Sequence, residues 1–180
     1  MLTITIPAFE CWDSENEKFI NFKETVLLLE HSLLSLSEWE SKWNRPFIGN
    51  DHKSIEESLD YIKCMTLNRD SVPDFAWTQI NDAMMQQVID YIEAPMTATT
   101  FSNLGTKRNR DIITNELIYY WMFTLGISKE CERWHLNRLM TLIRVCSEKN
   151  APKKKMSKSE IYAQNKALNE SRRKALNTKG

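Results

Sequence analysis

The sequence predicts a mainly α-helical α+β fold. A small N-terminal antiparallel β-hairpin or sheet leads into a helical bundle with a central antiparallel helix hairpin, and a basic helical arm ends the chain. Three observations lead there. Only four Gly and five Pro occur in 180 residues, too few for a turn-rich all-β fold. Apolar residues recur at the 3.6-residue period through most of the body. Charge divides sharply near residue 149: the last 32 residues hold ten basic and two acidic groups, a balance of +8, and the first 148 hold 14 and 22, a balance of −8. The expected divisions are 1–34, a β-rich segment; 35–148, a helical core; and 149–180, the arm.

Residues 2–6, LTITI, alternate Thr and Ile and predict a strand, with Pro7 at an edge or an end. A polar turn from Trp12 to Glu17 leads to a second strand at Phe19–Phe22. Thr25–Leu29 is a third strand or the start of a helix, since its apolar run fits both. Ser35-Leu-Ser-Glu38 has the capping-box pattern and predicts a short helix over about 36–44, ending before Pro46, with Trp39 and Trp43 on one face. Those two Trp read as core aromatics before they read as a stacking site.

A second capping box, Ser54–Glu57, opens a helix near 54–67 with Ile55, Leu59, Ile62 and Met65 as its stripe. A loop at 68–74 follows, then a helix from about Phe75 to Glu93. Residues 94–106 have no period and form a loop that is long for a compact domain. The largest apolar mass is the stretch 111–146, read as two antiparallel helices. Ile113, Leu117, Tyr120, Trp121 and Thr124 share a face of the first. Cys131, Trp134, His135, Arg138, Leu139, Leu142, Ile143 and Cys146 share a face of the second. Gly126 suits the helix end between them and Ser128 the next start. The structural core is expected at Trp121, Trp134, His135, Leu139 and Leu142. A third capping box, Ser157–Glu160, opens a helix at about 158–176 with too few apolar residues to bind a core firmly.

No apolar run reaches the roughly 18 residues of a membrane span, and MLTITIPAFECWD lacks the basic start and apolar run of a signal peptide. The expected compartment is therefore a cytoplasm, with no membrane partner. Cys11, Cys64, Cys131 and Cys146 are spaced too widely for a zinc or redox pattern and read as free thiols. Cys131 and His135, four apart, have the spacing of a thiolate–imidazolium pair or of two metal ligands. Two ligands do not make a site, and both lie in the core stripe, so packing is the expected role. His31 and His52 have no partner at a recognisable spacing. No phosphate-binding glycine loop, nucleophile elbow or HExxH is present. We therefore expect no cofactor, no metal and no enzyme activity.

The arm is the candidate binding element, through Lys153, Lys154, Lys155, Lys158, Arg172, Arg173 and Lys174. Docking as a helix on an acidic protein is the leading reading. Contact with nucleic-acid phosphates is another, weakened by the lack of interleaved aromatics. A solubilising tail is the bland one. A −8 body also attracts the +8 arm of a neighbouring copy, which makes self-association a third partner class.

Several blocks resemble one tailed-bacteriophage protein family: EHSLLSLSEWESKWNRPF (30–47), DYIKCMTL (60–67), VIDYIEAPMTATTF (88–101), ITNELIYYWM (113–122), ECERWHLNRLMTLIRVCSEKN (130–150) and the ending PKKKMSKSEIYAQNKALNESRRKALNTKG. That family belongs to tail morphogenesis, as tail assembly chaperones or tail-region proteins. The resemblance implies a non-enzymatic protein of the host cytoplasm. Its partner would be an aggregation-prone tape measure protein, or other tail proteins, bound before the tail tube polymerises. A virion structural protein of tail, neck or capsid, laced to its neighbours by the arm, fits the same residues. No catalytic residue is implied.

Overall fold

The computed structural model describes residues 1–13, 17–49, 52–101, 112–151 and 158–176. These fall into two units, Met1–Ser147 and Glu148–Gly180. The first unit opens with four strands, β1 (Leu2–Ile6), β2 (Phe9–Asp13), β3 (Lys18–Phe22) and β4 (Thr25–Leu29). The helices are α1 (Leu33–Trp43), α2 (Ile55–Met65), α3 (Asp82–Glu93), α4 (Asn115–Thr124), α5 (Leu136–Asn150) and α6 (Lys158–Leu176). Short 3-10 turns occupy Arg69–Ser71, Asp74–Gln79 and Lys129–Arg133. The mainly helical fold with small N-terminal antiparallel sheets is thus the one the sequence predicts.

The strands pair as β1 with β4 and β2 with β3, both antiparallel. Ile6 faces Thr25 and Phe9 faces Phe22. The register therefore runs through Pro7 without a slip, and the two sheets are one long hairpin interrupted where proline has no N–H to donate. The segment 25–29 is a strand, which settles the ambiguity of its apolar run. β2, FECWD, is a strand beyond those the sequence predicts. Phe9 and Phe22 stack at 4.9 Å, and Phe75 closes a three-ring stack at 5.4 and 5.0 Å. The outer edge of β4 is covered by the chain leaving α2. Leu67 N–H donates to the Leu28 carbonyl at 2.8 Å, and Asn68 bonds the Leu28 N–H and the Val26 carbonyl through its amide. That cover removes an open edge.

Helix α1 begins three residues before the predicted start. Ser32, not Ser35, is the N-cap: its Oγ accepts from Ser35 N–H, and Ser35 Oγ accepts from Ser32 N–H. Asn44, with φ of 51°, closes the helix in the left-handed conformation. The Ser54–Glu57 box caps α2 as expected. The helix expected over 75–93 is broken: a 3-10 turn ends at Gln79, and Asn81 caps α3 by accepting from Met84 N–H at 2.9 Å.

In the 111–146 stretch, Gly126 (φ 67°) ends α4 with a complete Schellman arrangement. Ile127 N–H bonds the Met122 carbonyl and Gly126 N–H that of Phe123. The buried face of α4 is Asn115, Ile118 and Met122, whereas Tyr120 and Thr124 are exposed. The helix is apolar nearly all round, so its period does not select a face. The second helix starts at Leu136 rather than near Ser128. Residues 134 and 135 stay extended because His135 bridges to Ser32, and Leu136 N–H donates to the His31 carbonyl at 2.7 Å.

Two apolar clusters result. One joins Ile4, Ile6, Leu27 and Leu29 of the sheet to Trp39, Tyr61, Ile62, Met65, Val88 and Tyr91. The other joins Leu33 and Leu36 to Ile118, Met122, Leu136, Leu139 and Ile143. The larger set of buried residues belongs to the first, so the 111–146 stretch is not the greatest apolar mass of the described residues. Helix α1 is the wall common to both.

Candidate functional site

Three features stand out beyond packing: a buried polar seam, an apolar groove and the exposed helix α6. The seam lies where the segment 30–32 meets residues 134–137. His31 Nδ1 lies 2.6 Å from Tyr61 Oη, and the His31 and His135 rings meet edge-on at 5.1 Å. His135 Nε2 donates to the Tyr91 carbonyl at 3.0 Å while its Nδ1 accepts from Asn137 N–H, which fixes the neutral tautomer. Tyr91 Oη donates to Glu30 at 2.7 Å. Burial, and then the neighbouring His135, lower the His31 pKa from 6.5 to about 3. Burial also lowers that of His135. The Tyr61 and Tyr91 hydroxyls are held well above their ordinary range, chiefly by burial. The four rings are thus neutral polar links between the two clusters.

Cys131 sits in the 3-10 turn and His135 in the extended link after it, so they do not share one α-helical face. No hydrogen bond joins their side chains, and no group of three metal-ligating side chains occurs among the described residues. Leu139 is fully buried and His135 buried, while Trp121, Trp134 and Leu142 are partly buried against the second cluster. Arg138 lays its guanidinium over the Trp134 ring at 4.1 Å. Buried Glu40 receives Phe47 N–H, Asn115 N–H and the Asn115 amide at 2.7–2.8 Å. Its charge therefore lies at the start of α4, where the helix dipole favours it.

The groove runs between α2 and α3, with a cavity of about 330 Å³ lined by Phe47, Ile55, Leu59, Met85, Ile89 and Ile92 among others. Ile55, expected in the buried stripe of α2, is 79% exposed at its mouth, and Ile89 is 40% exposed. On α3, Asp82, Asp90 and Glu93 carry its charge, with no basic residue in the helix. Lys53, the basic side chain of the lining, donates to the Phe47 carbonyl at 2.8 Å and lies 4.3 Å from that ring's centroid. The signal for this groove was present in the sequence. Met84, Met85, Val88, Ile89, Tyr91 and Ile92 make an apolar face wider than one core contact requires.

Helix α6 has every described side chain exposed, including Ile161, Tyr162, Leu168 and Leu176. Lys158, Arg172, Arg173 and Lys174 of the expected binding set lie on it. Lys153, Lys154 and Lys155 lie outside the described residues, as do Ser157 and the Glu160 side chain of the expected capping box, residues 14–16 of the predicted turn and 102–106 of the predicted loop. Comparison of the chain with protein-family models, curated proteins and solved structures finds no match.

Proposed function

We propose that this chain is a non-enzymatic binding protein of tailed-phage morphogenesis. It acts as a tail assembly chaperone that holds the tape measure protein in the host cytoplasm until the tail tube forms around it. The observation that supports this best is α6: nineteen residues of helix with large apolar side chains in solvent and basic groups among them. A solitary helix of that length is marginal in water and gains its stability from a partner. The α2–α3 groove supplies a second uncovered apolar surface, of the kind that receives an amphipathic helix. The resemblance of residues 30–47, 60–67, 88–101, 113–122, 130–150 and 152–180 to phage tail-region proteins supplies the client. The test is co-expression with the tape measure protein of the same phage. Co-purification and a gain in that protein's solubility are expected, and the absence of both refutes the reading.

The exposed arm also favours a second reading, a virion subunit laced to its neighbours. Mass spectrometry of purified particles separates the two. A chaperone is absent from mature virions, whereas a subunit is present at fixed stoichiometry.

A further inference from the structure

We propose that the α2–α3 groove of one copy receives helix α6 of a second copy, with Leu168 as the central anchor. This does not rest on the tail-assembly reading: it assigns the same groove and arm to a second copy when no client is bound, and its test contains no tail protein.

The argument is one of pattern, length and charge. Ile161, Leu168 and Leu176 are seven and eight residues apart, so they lie on one face of α6, and all three are exposed. At 1.5 Å per residue they are separated by about 10.5 and 12 Å. The groove walls, α2 and α3, hold 11 and 12 residues and are therefore about 16–18 Å long. The groove takes two consecutive anchors but not three, and Leu168 belongs to both pairings. Its floor offers Leu59, Met85 and Ile92, half-buried and facing an open cavity.

Charge selects the occupant. Asp82, Asp90 and Glu93 on α3 make no ion pair among the described residues. Helix α6 carries Lys158, Lys166, Arg172, Arg173 and Lys174 against Glu160 and Glu170. Of the three α3 acids, Asp82 lines the groove, as does Lys53, while Asp90 and Glu93 lie beyond its lining; the net negative charge of α3 facing a basic helix favours this pairing over a second acidic body face. The opposed −8 and +8 balances of the two parts of the chain favour the same association over long range. Reciprocal exchange of the arms closes a two-fold dimer in which neither groove is left open.

The experiment is analytical ultracentrifugation of the full chain, with wild type, Ile89→Asp, Ile55→Asp and Leu168→Asp compared at low and high salt. All three positions are substantially exposed, and tryptophan fluorescence, whose six emitters all lie in the first 148 residues, checks that each variant keeps the wild-type body fold. Wild type is expected to sediment as a dimer at low salt and to weaken as salt screens the opposed charges of body and arm. Each substitution is expected to raise the dissociation constant by about tenfold or more. An equimolar mixture of Ile89→Asp and Leu168→Asp should associate more tightly than either alone, because the mixed pair retains one intact groove and one intact arm. A wild-type mass of one chain throughout overturns the proposal, as does α6 folded against its own body. So does association that survives both Ile89→Asp and Leu168→Asp, or a mixture no tighter than its components.

Discussion

The imidazole of His31 makes the stability of this protein depend on pH, and the size of the effect follows from its surroundings. The ring is 3% exposed, bonded to Tyr61 and set edge-on to His135. Its pKa falls from 6.5 in the free side chain to about 3 in the fold. A lowered histidine pKa means that the unfolded chain binds the proton first. The stabilising contribution is therefore complete above pH 6.5 and is lost progressively as the pH falls towards 3. Between pH 7 and pH 5 the linkage relation gives a loss of about 2 kcal/mol from His31 alone. His135 is shifted in the same direction and adds to it. Urea unfolding, followed by tryptophan fluorescence at the two pH values, measures the total. His31→Gln keeps a hydrogen-bonding partner for Tyr61 but cannot titrate. Its loss between pH 7 and pH 5 should be smaller than wild type's by about 2 kcal/mol. Carboxylates titrate alike in both proteins and cancel in the comparison. Equal losses in the two proteins would refute the reasoning.

Four further outcomes follow from the fold. Glu40→Ala strands the Phe47 and Asn115 N–H groups that the carboxylate receives, and should cost about 3 kcal/mol or more in urea unfolding. Leu139→Ala, at a fully buried position of the second cluster, should cost about 2–5 kcal/mol, and Ser54→Ala, which removes the α2 cap, about 1 kcal/mol. The Cys64 thiol is pushed up to about 12 by burial and then by Glu38 and Asp60. In the native protein at pH 8 it should alkylate at least about a hundredfold more slowly than a free thiol, a rate read by mass spectrometry.

Local rules reached as far as local causes extend. The Ser54–Glu57 box places α2, the alternation of LTITI places β1, and Gly126 ends α4, because each depends on residues within a few positions. The cap of α1 was misplaced because Ser35 serves as the third helical residue yet has the sequence look of a first one. The break before α3 has a signal, Asn81 followed by Asp82, which a single helix from Phe75 to Glu93 passes over. The start of α5 had none: residues 134–135 are held extended by the 31–32 segment, and a contact across a hundred residues leaves no local pattern. The meeting of His31 and His135 was invisible for the same reason. Of the surfaces that carry the proposals, the arm was legible in its charge. The groove was legible only on its α3 side, as a wide apolar face; its α2 wall, Ile55 and Leu59, reads equally well as core until α3 is placed beside it.

The position of α1 has a consequence for how the body opens. Its first turns lie in one cluster, through Leu33 and Leu36, and Trp39 lies in the other, donating its indole N–H to the Glu57 carbonyl at 3.0 Å. Neither cluster can be exposed without unwinding the helix that the other is built on. Partial opening into a loose half and an intact half is thereby suppressed, and the amides of residues 36–40 should be the last to exchange with deuterated solvent, at the rate of whole-body unfolding. The body would then keep its own interior out of reach until all of it lets go.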